Sequence, residues 1–494
     1  MLSIKRSATA TRSRYICAWS TTLLLLAPAC ASQEVAPAAS EIVLRMGFGL
    51  ASGQGSENGV QQVARNVALE NLFRAGRDGR SAPVLADEWT VSADGLALSL
   101  ALKKGLRFHD GTTAEAETIG ELLEGSLKRT LGPAFGDIRA IRSKDNHLEF
   151  ALSRPSAFLL EGLDSQIAQP GADIVGTGPF SVSARQEGRI EMAANEHYHA
   201  GRPKIDKIII TPYTSVRAAW ADMLRGRVDM LYDVGADAID SLKSSSDVEI
   251  FPFQRAYAFI VLLNARRAPL NNPAIRRALN AAIDRDALVR DILKGRGRAA
   301  PGPIWPGHWA YSTSLPQFHY QPEQVAPADK RLRLKCLVVE PSHERLALAV
   351  QRQLRAIGVE LELEMVGPRE GFARLQSGDF DAYLADAIQG PNLVRPYLWW
   401  HSGGPFNSTG YRNPDVDAAL TSIRHATDDA AYASGVAAFQ RAVIEDPPAI
   451  FLAWRERARA VSRRFEVPSE PGDDVLSTLH LWKPRTEEQL ASRR

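Results

Sequence analysis

Cysteine is scarce in this chain. Of its 494 residues only three are Cys. Cys17 and Cys30 fall in the first thirty positions, so Cys336 stands alone in the body and a disulfide framework there is excluded. Charge of one sign is equally short. A formal net charge of +2, with no basic stripe interleaved with aromatics, removes nucleic acid from the expected partners. The ten histidines form no cluster, and Cys-x-x-Cys and His-Glu-x-x-His are missing, so neither a metal site nor a cofactor is expected. His197 and His199 sit two apart beside a Pro/Gly turn with no third ligand marked by spacing, and read as a solvated turn. Gly-x-Ser-x-Gly is also missing, which leaves no catalytic residue to name; an exported hydrolase is kept only as the competing class. Long hydrophobic runs are lacking too: Ile16 to Leu26 is short and broken by Ser20, Thr21 and Thr22.

What is present at the start is a targeting pattern. Lys5, Arg6, Arg12 and Arg14 precede the apolar run, and Ala27-Pro28-Ala29-Cys30-Ala31-Ser32 offers small-residue cleavage after Ala29 or after Ala31. Residues 1–31 are expected to be a signal peptide and the protein to be exported to the periplasm, either soluble or lipid-anchored through Cys30. Residues 32–40, rich in Ala and Pro, read as a disordered leader. Beyond it, 45% hydrophobic and 23% charged residues give an ordinary globular balance over a length that calls for two or three domains.

The body then divides into elements. Glu41 to Gly47 alternates as a first strand and runs into the loop Gly49 to Gly59, which lacks the Lys-Ser/Thr of a phosphate-binding loop. Leu96 to Leu100 alternates as a strand, and Gly105 to Thr112 reads as a turn in which His109 and Asp110 are bend residues, with Thr112 or Thr113 capping a helix from about Ala114. Ile275, Leu279, Ile283, Leu288 and Ile292 recur at helical intervals, as one amphipathic helix or a broken pair. The apolar strand around Cys336, the amphipathic stretch Glu344 to Ile357 stopped by Gly358, and the alternating strand Val359 to Leu363 make a strand–helix–strand unit. That order indicates a parallel crossover and an α/β lobe.

An ordered series of short motifs carries a family resemblance. Asp87-Glu88-Trp89, Phe108-His109-Asp110-Gly111-Thr112, Gly176-Thr177-Gly178-Pro179-Phe180, Met223-Leu224-Arg225-Gly226-Arg227-Val228-Asp229, Asn272-Pro273-Ala274-Ile275-Arg276-Arg277-Ala278-Leu279, Ser377-Gly378-Asp379-Phe380-Asp381 and Tyr411-Arg412-Asn413-Pro414-Asp415-Val416-Asp417 follow one another in sequence. Across roughly residues 41 to 485 the chain resembles the family 5 extracellular solute-binding proteins, the peptide- and nickel-type receptors of ABC importers. The resemblance implies an α/β, two-lobed periplasmic-binding-protein fold with a hinge and an additional domain inserted in the first lobe. It places the first lobe at 41–75, 175–262 and 468–486, the inserted domain at 76–174, the second lobe at 263–467 and a tail at 487–494, with crossovers near Leu262-Leu263-Asn264 and Pro468.

Function follows as an expectation from the same resemblance. The chain would be a monomeric receptor that encloses a peptide or small solute and delivers it to the membrane subunits of a permease; the alternative solutes are a nickel chelate, heme, a modified sugar or an antibiotic-like compound. Cleft candidates are Asp386, Gln389, Asn392, Arg395, Trp399, Trp400, Trp454 and Arg455, with Tyr257 and the loop Gly49 to Ser52 from the first lobe. Peptide-binding members carry an aspartate near Gln389 that pairs with the peptide's α-amino group. Here that place holds Gln389 or Gly390, and Asp386 is the acid left at the strand end.

Overall fold

The computed structural model describes residues 41–49, 56–171, 174–186, 188–324, 332–486 and 488–489. The expected signal peptide with Cys30, the leader at 32–40, and Leu50 to Ser52 of the first-lobe loop lie outside the described residues.

An eleven-stranded sheet runs through the protein, and two long antiparallel strands, Val248–Leu263 and Ala449–Ser462, form its middle. Their pairing extends from Val248 opposite Ser462 to Leu262 opposite Ala449, with register irregularities between Gln254 and Ala258 and between Phe259 and Ile260. On one side Met230–Leu231 joins the second long strand, followed by Val43–Gly49, Lys207–Tyr213, Arg189–Ala194 and Phe180–Gln186. On the other, Ala382–Ile388 joins the first long strand, followed by Leu332–Val338 and Val359–Met365. The partners of the long strands therefore change midway, and this change divides the sheet into two lobes. It falls at Gln254 to Ala258 and at Trp454 to Glu456, earlier in both strands than the crossovers expected near Leu262-Leu263-Asn264 and Pro468. The reason is strand continuity. Neither strand breaks where it leaves one lobe, so no turn residue marks the passage; Val461 and Phe465 already pack with Leu44 and Met46 of the first lobe.

Local sequence explains the elements. Leu332–Val338 and Val359–Met365 pair in parallel across the helix Glu344–Arg355, and Gly358 closes that helix with φ +78°, a conformation that costs an L side chain most. Pro414 follows the cap Asn413, whose side chain accepts from the N–H groups of Asp415 and Val416. The amphipathic stretch after Pro273 is a broken pair: Pro273–Ala281 stops, and Asp284 caps a second short helix. Glu115, not Thr112 or Thr113, precedes the helix Ala116–Leu131, because Thr112 and Asp110 bond each other inside the turn. His109 locks that turn to the first lobe: Gly176 N donates to its Nδ1, and its Nε2 meets Gly178 O at 3.0 Å.

The inserted domain is a four-stranded antiparallel sheet, Ala86–Val91, Ala97–Leu102, His147–Leu152 and Ile138–Lys144, with the helix Ala116–Leu131 against one face. Alternation puts Leu98, Leu100, Leu102, Leu148 and Phe150 on the face that meets Ile119, Leu123 and Leu127. This core continues into the second lobe through Phe158 and Tyr397, whose rings lie 5.4 Å apart. A buried pair, Arg424 with Asp137, ties the two units at 2.6 and 2.7 Å. His199 departs from the solvated turn expected for it. Its Nε2 meets Glu70 at 3.0 Å and its side chain is nearly buried; Tyr198 Oη donates to the same carboxylate, and the Tyr198 ring meets those of His199 and His480.

Candidate interlobe site

Strand direction locates the site. The first long strand runs from the first lobe toward the second, and Met230–Leu231, Val43–Gly49 and Lys207–Tyr213 share its direction. Ala382–Ile388 runs against it, with Leu332–Val338 and Val359–Met365 parallel to Ala382–Ile388. The carboxyl ends of both sets therefore face each other across residues 254–258 and 454–456. A crevice beyond such ends, where strand order switches, is where open α/β sheets hold ligands.

Alternation along the second long strand gives this crossover two chemically different faces. Arg455, Arg457 and Arg459 share one. Arg455 donates to Asp386 at 2.7 Å and stands 3.8 Å from Asp233, while Arg457 lies 3.5 Å from Asp233 and 3.7 Å from Asp386. Arg459 holds Asp474 through two contacts of 2.9 and 2.5 Å. Aromatic rings back each guanidinium: Phe259 under Arg455, Tyr257 under Arg457 at 4.9 Å, and Tyr232 under Arg459 at 3.9 Å. Asp233 follows a first-lobe strand and Asp386 ends a second-lobe strand, so two arginines bridge the lobes. Burial works against the charge of Arg455, but the carboxylates of Asp233 and Asp386 outweigh it and raise its pKa.

Trp454, Ala258, Ala387 and Gln389 occupy the other face. Trp454 meets Trp305 edge to face at 5.4 Å, and Trp305 Nε1 donates to Arg77 O at 3.0 Å. Gly79, with φ +84°, lets that loop approach closely: a Cβ there would lie 2.5 Å from the His308 ring and 2.8 Å from Pro391 O. Trp400 Nε1 donates to Gln389 Oε1 at 2.9 Å, and Trp400 packs edge-on against Phe451. The helix Val394–Trp400 is capped from another domain. Glu161 of the inserted domain accepts from Val394 N at 2.8 Å and from Tyr432 Oη at 2.6 Å, and its burial pushes the carboxyl up to about 7.

The sequence candidates are thus divided between the faces. Asp386, Arg455 and Tyr257 gather on the charged face, where Asp386 is already ion-paired. Gln389 and Trp454 belong to the neutral face. Trp400 is core that orients Gln389; Trp399, whose ring lies 5.9 Å from that of Trp400, is half-buried against Phe406. Asn392 is buried just before that helix, and Arg395 turns its charge toward Asp164. Sequence reading passes over Asp233, Arg457, Trp305, His308 and Glu161. An Arg at every second position from 455 to 459 is the one signal that was legible, since period two puts all three on one face of a strand. Among the described residues no group of three or more His, Cys, Asp or Glu is placed to hold a metal, and no helix is long and apolar enough to cross a membrane.

Residues 81–408 match the family model described as bacterial extracellular solute-binding proteins, family 5 Middle. The chain is 26% identical over 422 residues to the probable D,D-dipeptide-binding periplasmic protein DdpA of Escherichia coli, covering 77% of this chain and 81% of the relative. It is 23% identical over 397 residues to Heme-binding protein A of Haemophilus influenzae, covering 68% and 72%. Among solved structures, the oligopeptide-binding protein AppA of Bacillus subtilis in complex with a nonapeptide shares the fold, with a TM-score of 0.75 at 20% identity over 90% of this chain and all of that one, 100%.

Proposed function

The chain belongs to the bacterial extracellular solute-binding proteins of family 5, and from that premise we propose that it is an exported receptor capturing a peptide or peptide-like solute between its lobes for a membrane permease. The observation that carries this reading is the meeting of two opposed sets of strand carboxyl ends at a crossover whose neutral face is walled by tryptophans and buried amides. Closure around a ligand requires contacts from both lobes. Trp305 reaching Arg77, and Arg455 shared between Asp233 and Asp386, are contacts of that kind. Trp399, Trp454, Gln389 and Asn392 form the ligand side of the second lobe. Residues from 41 to about 254 outside 76–174, and those from about 456 to 486, make the first lobe; 76–174 is the inserted domain.

Residues 1–31 act as the export signal. Cleavage after Ala29 would leave Cys30 to carry a lipid, and cleavage after Ala31 a soluble monomer; the mass of the mature amino terminus separates the two. A second reading, a receptor for heme, a nickel chelate or another non-peptide solute, is favoured by the amide at Gln389 in place of a carboxylate and by the likeness to Heme-binding protein A. Native mass spectrometry of the purified protein decides between them. A family of peptide masses that raises the thermal midpoint on rebinding is expected, and a single discrete non-peptide mass supports the second reading. Turnover of the bound solute would move the protein to the hydrolase class.

A further inference from the structure

Hydrogen-bond accounting on the neutral face restricts the chemistry of the ligand. An indole Nε1 can only donate, so its contact with Gln389 fixes the amide: Oε1 faces Trp400, and Nε2, with two hydrogens, points away. That nitrogen is buried without a partner among the described residues, and Trp454 Nε1 is in the same condition. His308 adds a third donor. Ala310 N donates to its Nδ1 at 3.1 Å, which leaves the hydrogen on Nε2, again buried and unpartnered. Burial brings the pKa of His308 down to about 4, so the ring is neutral. One acceptor, Asn392 Oδ1, accompanies them.

These groups belong to one neighbourhood. Ala258 and Ala387 lie between Trp454 and Gln389 on the sheet face, and both side chains are short. His308 and Pro391, the latter two residues after Gln389, both border Gly79, where a Cβ would lie 2.5 Å from the His308 ring and 2.8 Å from Pro391 O. A buried donor left unpaired is costly, so oxygens brought to this face would complete it. An ammonium would bring a fourth donor and lose its hydration without gaining an opposite charge. Asp386 cannot supply that charge, because alternation puts it on the other face and two arginines neutralise it.

Resting on the reading of the chain as a peptide-type receptor, we propose that its ligand is a peptide whose leading end carries a carbonyl in place of a free ammonium, N-acylated or cyclised, with its oxygens accepting from Gln389 Nε2 and Trp454 Nε1. The test uses the mature full chain and a peptone digest divided into an untreated and an N-acetylated pool, with retained masses read by native mass spectrometry. Acetylated peptides are expected to be retained at least tenfold over their free counterparts. Gln389→Glu keeps an oxygen toward Trp400 and places a carboxylate at the anchor, so it is expected to reverse the preference. Equal or better retention of free peptides by the wild type, or an unchanged preference in a Gln389→Glu protein that melts normally, overturns the anchor and leaves the receptor reading standing. Retention of neither pool overturns both. Where Gln389→Glu does not fold, the wild-type comparison decides alone.

Discussion

The two faces of the crossover differ in how their polar groups are paired. On the charged face each of Arg455, Arg457 and Arg459 meets a carboxylate, the carboxylates come from both lobes, and only single atoms of Asp386, Arg457 and Arg459 are left over. On the neutral face the polar atoms of Gln389, Asn392, Trp454 and His308 include buried donors and an acceptor with no partner among the described residues. A buried network in which every ion has its counter-ion rigidifies a fold, whereas unpaired neutral groups are tolerated where something else completes them. The first face therefore carries charge contacts between the lobes, and the second carries the neutral donors that the proposed ligand would meet.

Breaking the charged face at its most buried member should have the largest effect. Arg459 is 1% exposed and holds Asp474. Arg459→Ala leaves Asp474, which is partly exposed, with only the Leu476 N–H, and is expected to cost about 3 kcal/mol of stability, read as a lower urea midpoint with or without ligand. A variant as stable as the wild type would show that this face holds nothing.

The next effect concerns the contact that presents the neutral face. Glu161 caps the helix bearing Trp399 and Trp400, and its buried carboxyl is raised to about 7 from an ordinary value near 4.5. A raised acid binds its proton more tightly in the folded state, so its contribution is present at low pH and is lost as pH rises through about 4.5 to 7. His308 works in the opposite sense: burial depresses its pKa to about 4, so acid below about 6.5 favours the unfolded state. Both touch Tyr432, Glu161 by hydrogen bond and His308 by stacking. The other charged groups nearby are Arg395 on the capped helix, Asp164, and the Arg424–Asp137 pair. Subtracting Glu161→Gln isolates the carboxyl. Wild-type stability relative to that variant is expected to fall by a few kcal/mol at most between about pH 5 and pH 7.5, since a tenfold change in proton affinity is worth about 1.4 kcal/mol. A difference that does not change with pH would mean that Glu161 stays ionised in the fold.

How much of this was legible beforehand depends on the range of the interaction. The strand–helix–strand unit around Cys336 was readable because periodicity and Gly358 act within a few residues, and Cys336 is indeed buried, its thiol pushed up to about 12 by desolvation. The family motifs located the stretch from Asp386 to Trp400. They could not say that Asp386 and Gln389 point to opposite faces, since that follows from their pairing with the first long strand, more than a hundred residues away in sequence. Glu161 and Val394 are 233 positions apart and Arg424 and Asp137 are 287 apart. Nothing local marks such pairs, and the cap on the helix of Trp399 was illegible for that reason.

A smaller change sharpens the neutral face. Trp454 is 1% exposed, so Trp454→Ala would mix a lost ligand contact with a core cavity costing about 3–5 kcal/mol. Trp454→Phe keeps a six-membered ring against Trp305 and removes the unpartnered N–H together with the rest of the five-membered ring. Ligand affinity is expected to drop about tenfold, or about 1.4 kcal/mol, with the ligand-free melting point lowered far less than in Trp454→Ala. Equal affinity would remove Trp454 Nε1 from the site.

The smallest expected effect comes from thinning the bridge between the lobes without removing it. Asp233→Asn keeps the shape of the side chain and takes away one carboxylate, while Asp386 still neutralises Arg455 at 2.7 Å. Because Asp233 stands 3.5 and 3.8 Å from its arginines and is partly exposed, the loss should be about 1 kcal/mol or less. It should fall on closure, so ligand affinity declines severalfold while the ligand-free unfolding midpoint hardly moves. Salt distinguishes this from a packing defect. Screening already weakens a partly exposed pair, so the affinities of wild type and Asp233→Asn should converge as ionic strength rises from about 0.05 to about 1 M. A gap that persists at high salt would assign Asp233 to packing and leave Asp386 as the carboxylate that holds the arginine pair.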